Sequence, residues 1–173
     1  MNLVIESLTA ERAVPHRPAL AALLQDAVDG GASIGFLPPL EAAEVAAYWA
    51  TVIDALREGS RMLLVAREPV AGVVGTLQLE LATRANARHR AEVAKLMVQR
   101  TARRHGVGRA LMLAAEAEAR RLGRTTLVLD TREGDPSERL YRSLGWQLAG
   151  VIPRYARSAD GALDTTAVYY KLL

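Results

Sequence analysis

Between residues 96 and 111 an apolar run gives way to a stretch rich in arginine and broken by glycine. Leu96-Met97-Val98 ends a strand-like segment, Arg103-Arg104-His105-Gly106-Val107-Gly108-Arg109 follows closely, and Ala110-Leu111 opens a helical pattern. At a strand-to-helix junction successive backbone N–H groups converge, and the helix dipole adds partial positive charge. Glycines at 106 and 108 would let a diphosphate approach the backbone without meeting a Cβ. Arg103, Arg104 and Arg109 carry the charge to neutralise it. The third glycine of a dinucleotide fingerprint is missing, as is the Gly-Lys-Ser/Thr of a P-loop. The spacing therefore predicts a pyrophosphate site of a third kind, against the plainer reading of two glycines that merely start a helix.

Charge is distributed to match. Residues 84–124 hold eleven basic and three acidic side chains, whereas residues 1–83 hold five basic and ten acidic. All but two of the basic residues are arginine, the exceptions being Lys95 and Lys171. Arginine is suited to forked contacts with phosphate oxygens. The alternative is a solvated face reflecting a compositional habit.

Other chemistries find no support. The chain has no cysteine, which removes disulfides, thiolate nucleophiles and Cys-ligated zinc. His16, His89 and His105 lack metal-ligand spacing, and Ser33 has no histidine–acid pair to activate it. The uncharged stretch 69–79 is too short and too Gly-punctuated for a bilayer, which takes about 20 residues. The opening MNLVIESLTAE lacks a basic head before an apolar run. At 173 residues, half of them apolar, the expectation is one metal-free, cytoplasmic, globular domain.

The elements that must position the loop follow from periodicity. A strand is expected over 2–8. Leu20, Leu23, Leu24, Ala27 and Val28 fall on one helical face, and Val45, Tyr48, Trp49, Val52 and Leu56 form a second stripe stopped by Gly59. Between them lies a flexible Gly30-Gly31-Ala32-Ser33-Ile34-Gly35-Phe36 loop closed by Pro38-Pro39. Residues 61–67 and 70–81 read as a hairpin, 92–98 as a strand, 107–122 as a helix and 125–130 as a buried strand. Asp135-Pro136-Ser137-Glu138 combines a capping carboxylate, a first-turn proline and a glutamate three after the cap, so a helix should run from there to Gly145. Strands over 146–152 and 165–173 close the chain. The order β-α-α-β-β-β-α-β-α-β-β predicts a mixed sheet with helices on both faces.

Arg103-x-x-Gly106-x-Gly108 resembles the Arg/Gln-x-x-Gly-x-Gly/Ala loop by which GCN5-related N-acetyltransferases hold the coenzyme A pyrophosphate. Tyr141-Arg142-Ser143-Leu144-Gly145-Trp146 resembles the same superfamily's Tyr-x-x-x-Gly-Phe/Tyr signature, and the likeness covers about residues 60–153. A narrower likeness, to the tabtoxin-resistance group of acetyltransferases, rests on the 30–36 loop, Arg90-Ala91-Glu92-Val93, Lys95-Leu96-Met97-Val98, Leu129-Asp130-Thr131 and Thr166-Ala167-Val168-Tyr169-Tyr170-Lys171. Asp135-Pro136 departs from that pattern and should alter the entry to the Tyr141 helix more than the chemistry. The resemblance implies a single-domain α/β (α+β) fold with a mostly antiparallel central sheet and splayed central strands. It divides the chain into an acceptor-side half (1–83), an acetyl-CoA-binding core (84–153) and a C-terminal strand (154–173).

The implied reaction assigns roles to residues. Acetyl transfer to an amine needs a base for an ammonium of pKa near 10, and Glu92 and Asp130 stand at positions implicated in the active sites of close relatives. Each has a plainer reading, Glu92 as a solvent-facing strand charge and Asp130 as the cap of the following turn. A backbone N–H near Leu96, Met97 or Val98 would meet the carbonyl oxygen, and Tyr141 would donate to the departing thiolate unless it is only core. The coenzyme would lie on Arg103, Arg104, His105, Gly106, Val107, Gly108, Arg109 and Ala110, with Ser137 nearby. His105 is expected to offer its backbone more than its ring. The acceptor would meet Ser33 and Phe36, with Trp49 as a wall of its pocket unless that residue is only packing, which its helical spacing suits, as does Tyr48's. An acidic amino-terminal half suits a cationic amine, so the expected partner is a small, amino-acid-like metabolite, toxin or antibiotic. Protein amines and an inactive acyl-CoA sensor are the alternatives. A nucleic-acid module lacks interleaved aromatics and a reader motif, so neither nucleic acid nor membrane is expected as partner, and the protein would be a monomer or homodimer.

Overall fold

The computed structural model describes residues 2–173. In chain order the elements are β1 (Val4–Leu8), α1 (Ala10–Ala13), α2 (Arg17–Asp29), α3 (Ala42–Glu58), β2 (Arg61–Glu68), β3 (Gly72–Leu81), β4 (Arg90–Val98), α4 (Val107–Arg121), β5 (Thr126–Arg132), α5 (Ser137–Ser143), β6 (Gln147–Arg157) and β7 (Leu163–Leu172). One seven-stranded sheet runs β1-β2-β3-β4-β5-β7-β6. Every neighbouring pair is antiparallel except β4 and β5, which lie parallel.

Alternation along β2 splits the core in two. Leu63 and Val65 face α1, α2 and α3, while Leu64 and Ala66 face α4. On the first face α3 buries Val45, Trp49, Val52 and Ile53, each contributing roughly 1.5–3 kcal/mol of hydrophobic stabilisation. Gly59, with φ 71°, closes this helix in the left-handed conformation that favours glycine. On the second face α4 buries Leu111, Met112, Ala115 and Ala119. Its buried Glu116 also receives the Lys171 ammonium at 2.7 Å and the Trp146 indole N–H at 3.1 Å, tying α4 to β7 and to the entry of β6.

Three boundaries depart from expectation. The single turn of α1 is too short for periodicity to reveal; Thr9 starts it by accepting the Arg12 N–H at 3.3 Å. Strand β6 continues past Pro153 to Arg157 instead of ending at Ile152. As the edge strand of the sheet it tolerates a residue without an N–H, and its register shifts between Ile152 and Ala156. Helix α5 starts at Ser137, with Asp135 Oδ1 accepting the Ser137 N–H at 2.8 Å as expected. Glu138, however, reaches back to the Gly134 N–H at 2.6 Å, one residue beyond the capping-box position.

Candidate active site

The two parallel strands part within a few residues. Pairing of β4 with β5 runs through Arg90↔Thr126, Ala91↔Leu127 and Glu92↔Val128 and then stops. Immediately beyond, β4 bulges: Ala94 pairs with Gln78 and Met97 with Thr76, so three steps on β4 match two on β3. Lys95 stands in the bulge with φ 51°. The β4 edge facing β5 thus has no ladder partner beyond Glu92, which leaves backbone N–H groups there for an incoming oxygen.

Both sequence-nominated carboxylates stand at the mouth of this wedge. Glu92 lies opposite Val128, and Asp130 is two residues further along β5, hence on the same face. That face is shared by α2 and α3 but stays open here, with Glu92 and Asp130 both exposed. The cleft still withdraws enough water to raise the Glu92 pKa, and the like charges of Glu80 and Asp130 raise it further. Glu80 is its direct cross-strand partner. Asp130 Oδ2 accepts the Thr166 hydroxyl at 3.0 Å.

The same face carries a polar array that sequence inspection does not single out. Arg61 pairs with Glu80 at 2.8 Å and donates to Gln78 Oε1 at 2.9 Å, and Gln78 Nε2 donates to the Tyr48 hydroxyl at 2.7 Å. Burial pushes the Tyr48 phenol up to about 12. Phe36 meets the Tyr48 ring edge-on at 5.0 Å between centroids, and the Lys95 ammonium lies 5.9 Å from the centre of the Phe36 ring. Two signals in the sequence pointed here: Gln78 interrupts an apolar run, and Lys95 is one of only two lysines.

The 30–36 loop reaches over this face and is held at its root. Arg132 donates to the Gly31 carbonyl at 3.2 Å, and Arg100 pairs with Asp26 at 2.7 Å. Ser33 is exposed in this loop, and Phe36 packs against the α2–α3 core. Trp49 lies elsewhere in the packing. Only 1% exposed, it floors a groove of about 410 Å³ between α2 and α3, whose lining includes no other nominated residue.

At the other side of the wedge, β4 leads through a short 3-10 turn at Arg100–Ala102 to α4. Arg104 (φ 66°) and Gly106 (φ 83°) both take the left-handed conformation, and the first turn of α4 has no side-chain cap. A Cβ at residue 106 would meet nothing within 4 Å, so open space flanks the uncapped N–H groups of Val107, Gly108 and Arg109. Gly108 also lies against α5. A Cβ there would come within 3.3 Å of Leu140, so its lack of a side chain lets α5 pack close. The expected arginine trio is divided: Arg103 donates to the Val98 carbonyl at 3.2 Å and Arg109 to Ser143 at 2.7 Å, leaving Arg104 directed to neither. His105 Nδ1 lies 2.9 Å from the Arg103 carbonyl oxygen, and Ala110 closes the first helical hydrogen bond to Gly106.

Tyr141 projects from α5 beside Trp146 and Tyr169, with centroids 6.3 and 6.0 Å away. Burial pushes its phenol up to about 12, partly offset by Ser137. Ser137 Oγ also lies 3.1 Å from Thr131 Oγ1, linking α5 to the end of β5. The charge of Asp130 adds to the upward shifts of both Glu92 and Tyr141, after burial in each case. Among the described residues no cluster suited to a metal ion exists.

Comparison with known proteins bears on this arrangement. A model of the acetyltransferase (GNAT) family matches residues 18–146. Among solved structures, a ribosomal-protein-alanine N-acetyltransferase from Brucella melitensis superposes with a TM-score of 0.80 at 26% identity, over 98% of this chain and 99% of that one. A phosphinothricin acetyltransferase from Sinorhizobium meliloti, solved with acetyl-CoA, gives 0.80 at 22% identity over 100% of this chain and 89% of that one. An acetyltransferase from Salmonella typhimurium, also solved with acetyl-CoA, gives 0.82 at 20% identity over 100% and 95%.

Proposed function

The chain belongs to the acetyltransferase (GNAT) family of acetyl-CoA-dependent enzymes, and from that premise we propose that it acetylates the primary amine of a small, amino-acid-like molecule. The observation that carries this reading is the parting of β4 and β5 directly beyond Glu92, between an exposed acid pair and an uncapped helix start. The loop suits coenzyme A: open space at Gly106, uncapped N–H groups at the start of α4, and Arg104 with no side-chain partner among the described residues all favour a diphosphate. Arg103 through Ala110 would hold it, with Ser137 across the wedge. Acetyl-CoA supplies an activated thioester.

The chain's own groups then have these tasks. Glu92, its pKa raised by burial and by Glu80 and Asp130, is a stronger base than an ordinary carboxylate and takes the proton of a bound ammonium, with Asp130 holding the amine toward the wedge. A backbone N–H among Leu96, Met97 and Val98 polarises the acyl oxygen. With its phenol near 12, Tyr141 remains protonated opposite a thiol of pKa near 8.5. It therefore acts by donating a hydrogen bond to the departing sulfur, full proton transfer being uphill. Retention of Glu92, Asp130 and Tyr141 together argues against an inactive sensor.

The acceptor follows from the face on which the amine must lie. Glu80, Glu92 and Asp130 favour a cation, and the loop rooted by Arg132 and Arg100 restricts the approach of an extended chain. Motifs shared with tabtoxin-resistance enzymes and the phosphinothricin acetyltransferase neighbour support an amino-acid-like acceptor. The Brucella neighbour, named for a protein alanine, supports a peptide N-terminus as the second reading. Calorimetry should show acetyl-CoA binding that is lost in a folded Gly106→Val variant; unchanged affinity would remove the loop assignment. A thiol-release screen over amino acids, β-lactam amino acids, aminoglycosides, polyamines and short peptides then tests the acceptor. Preference for peptides over every small amine would overturn the choice.

A further inference from the structure

Lys95 is a cation without a counter-ion at the acceptor face. The chain's other lysine, Lys171, is fully engaged with Glu116 and the Leu144 carbonyl. Lys95, by contrast, makes no hydrogen bond and no ion pair within 4.0 Å among the described residues, its Nζ lying 5.9 Å from the centre of the Phe36 ring. A Cβ on Gly35 would come within 3.4 Å of that Nζ, so the ammonium sits directly under the 30–36 loop. Its backbone is held at φ 51° in the β4 bulge, a conformation L side chains seldom adopt and one that concentrates at functional positions.

The charges facing Lys95 define what is missing. Glu80 is already paired with Arg61 at 2.8 Å, and Asp130 is hydrogen-bonded to Thr166. Glu92 has no such partner among the described residues. Burial favours the neutral form of Lys95 and the surrounding carboxylates favour the charged one, yet none of them makes contact. A half-buried ammonium without a partner is costly, and an anion arriving beneath the loop would provide one. The face therefore offers an acid for an ammonium and, across the bulge, an ammonium for an acid.

We infer that Lys95 is the docking point for the acceptor's carboxylate, so that the enzyme selects amines carrying an anionic group beside the reacting nitrogen. This rests on the small-amine reading and sharpens it to zwitterions. Lys95 would fix the carboxylate while the amine lies toward Glu92 and Asp130, and Gly35 would bring the loop down over the pair. In an enzyme for simple amines or polyamines, a cation at this position would repel substrate.

Two measurements test the inference. In the first, kcat/KM is compared for an amino acid and its α-amide in the wild type, Lys95→Met and Lys95→Arg. The wild type should prefer the free acid, and Lys95→Met should collapse that preference by about tenfold or more, the loss falling on the KM of the acid. Lys95→Arg should retain part of it. If Lys95→Met penalises acid and amide alike, or leaves the preference intact, the inference is overturned. In the second, reductive methylation with ¹³C labels Lys95, Lys171 and the α-amine, and the Lys95 signal is assigned by its absence in Lys95→Arg. That signal should move with N-acetylglycine and not with N-acetylglycinamide. A Lys95 signal indifferent to both overturns the inference even when small amines are acetylated. Turnover of peptides alone would instead defeat the small-amine reading, with the Lys95 signal still reporting separately whether a carboxylate docks.

Discussion

Glu92 faces Glu80 directly across the β3–β4 ladder, and like charges so placed disfavour each other's ionised forms. Because burial, Glu80 and Asp130 together raise its pKa, a base at Glu92 is switched on only as pH rises through that elevated value. Glu80→Gln removes one of the repelling charges, so the Glu92 pKa should fall. The acidic limb of the kcat/KM profile should then move to lower pH, whereas a limb that stays in place would assign the base elsewhere. Tyr141→Phe isolates the other proposed role. Losing a hydrogen bond to the leaving sulfur should lower kcat on the order of 10²-fold while acetyl-CoA affinity, measured by calorimetry, stays close to wild type. Equal loss of both would make Tyr141 a packing residue alongside Trp146 and Tyr169. The carboxylates and the phenol were legible in the sequence because each stands in a recognisable local motif. Glu80, Arg61, Gln78 and Lys95 were not, because what unites them is the antiparallel register of β3 on β4 and the bulge within it. No local pattern specifies that register.

At the scale of elements, glycines mark helix boundaries, and some also answer to packing. Gly59 ends α3 and Gly106 precedes α4 through left-handed backbone, as their positions after and before apolar stripes imply. Gly108 also answers to a neighbour distant in sequence, as does Gly75, which no local pattern marks. A Cβ on Gly75 would lie 2.9 Å from Val107 Cγ1, 3.1 Å from the Met97 carbonyl oxygen and 3.2 Å from Leu111 Cδ1. The Met97 oxygen belongs to the strand that forms the wedge and cannot swing aside. Gly75→Ala should therefore destabilise the fold by roughly 1–3 kcal/mol, measured by urea denaturation. Gly108→Ala meets only the flexible end of Leu140, at 3.3 Å, and should cost less. A larger loss at 108 than at 75 would mean that α5, not β4, is the rigid wall of the site. Periodicity found the long helices and apolar strands because burial imposes it. The turn of α1 and the far half of β6 escaped, since one is too short to repeat and the other is exposed along nearly its whole length.

Across the whole molecule, the surplus of basic residues over 84–124 admits two physical meanings, a diffuse attractive field or a local cradle. The fold separates them. Arg100 is spent on Asp26, Arg103 on the Val98 carbonyl, Arg109 on Ser143, Arg121 on Glu118, and Arg124 on the Ala82 carbonyl. Five of the eleven basic groups are thus spent on the protein itself, and Arg104, beside Gly106, is the arginine of the loop that these contacts leave free. Coenzyme A brings phosphate charge to that point, so acetyl-CoA affinity should fall several-fold as salt rises from about 0.05 to about 0.5 M, where the screening length shrinks to a few ångströms. Arg104→Ala should weaken binding at low salt and flatten that dependence. Arg120, exposed near the opposite end of α4, provides the control. If the basic region acted as a diffuse field, Arg120→Ala would weaken binding and flatten the dependence as much as Arg104→Ala. If it acts as a cradle, Arg120→Ala should leave the calorimetric titration at both salt concentrations indistinguishable from wild type, because Arg120 stands about 20 Å along α4 from its first turn, beyond the screening length at either concentration.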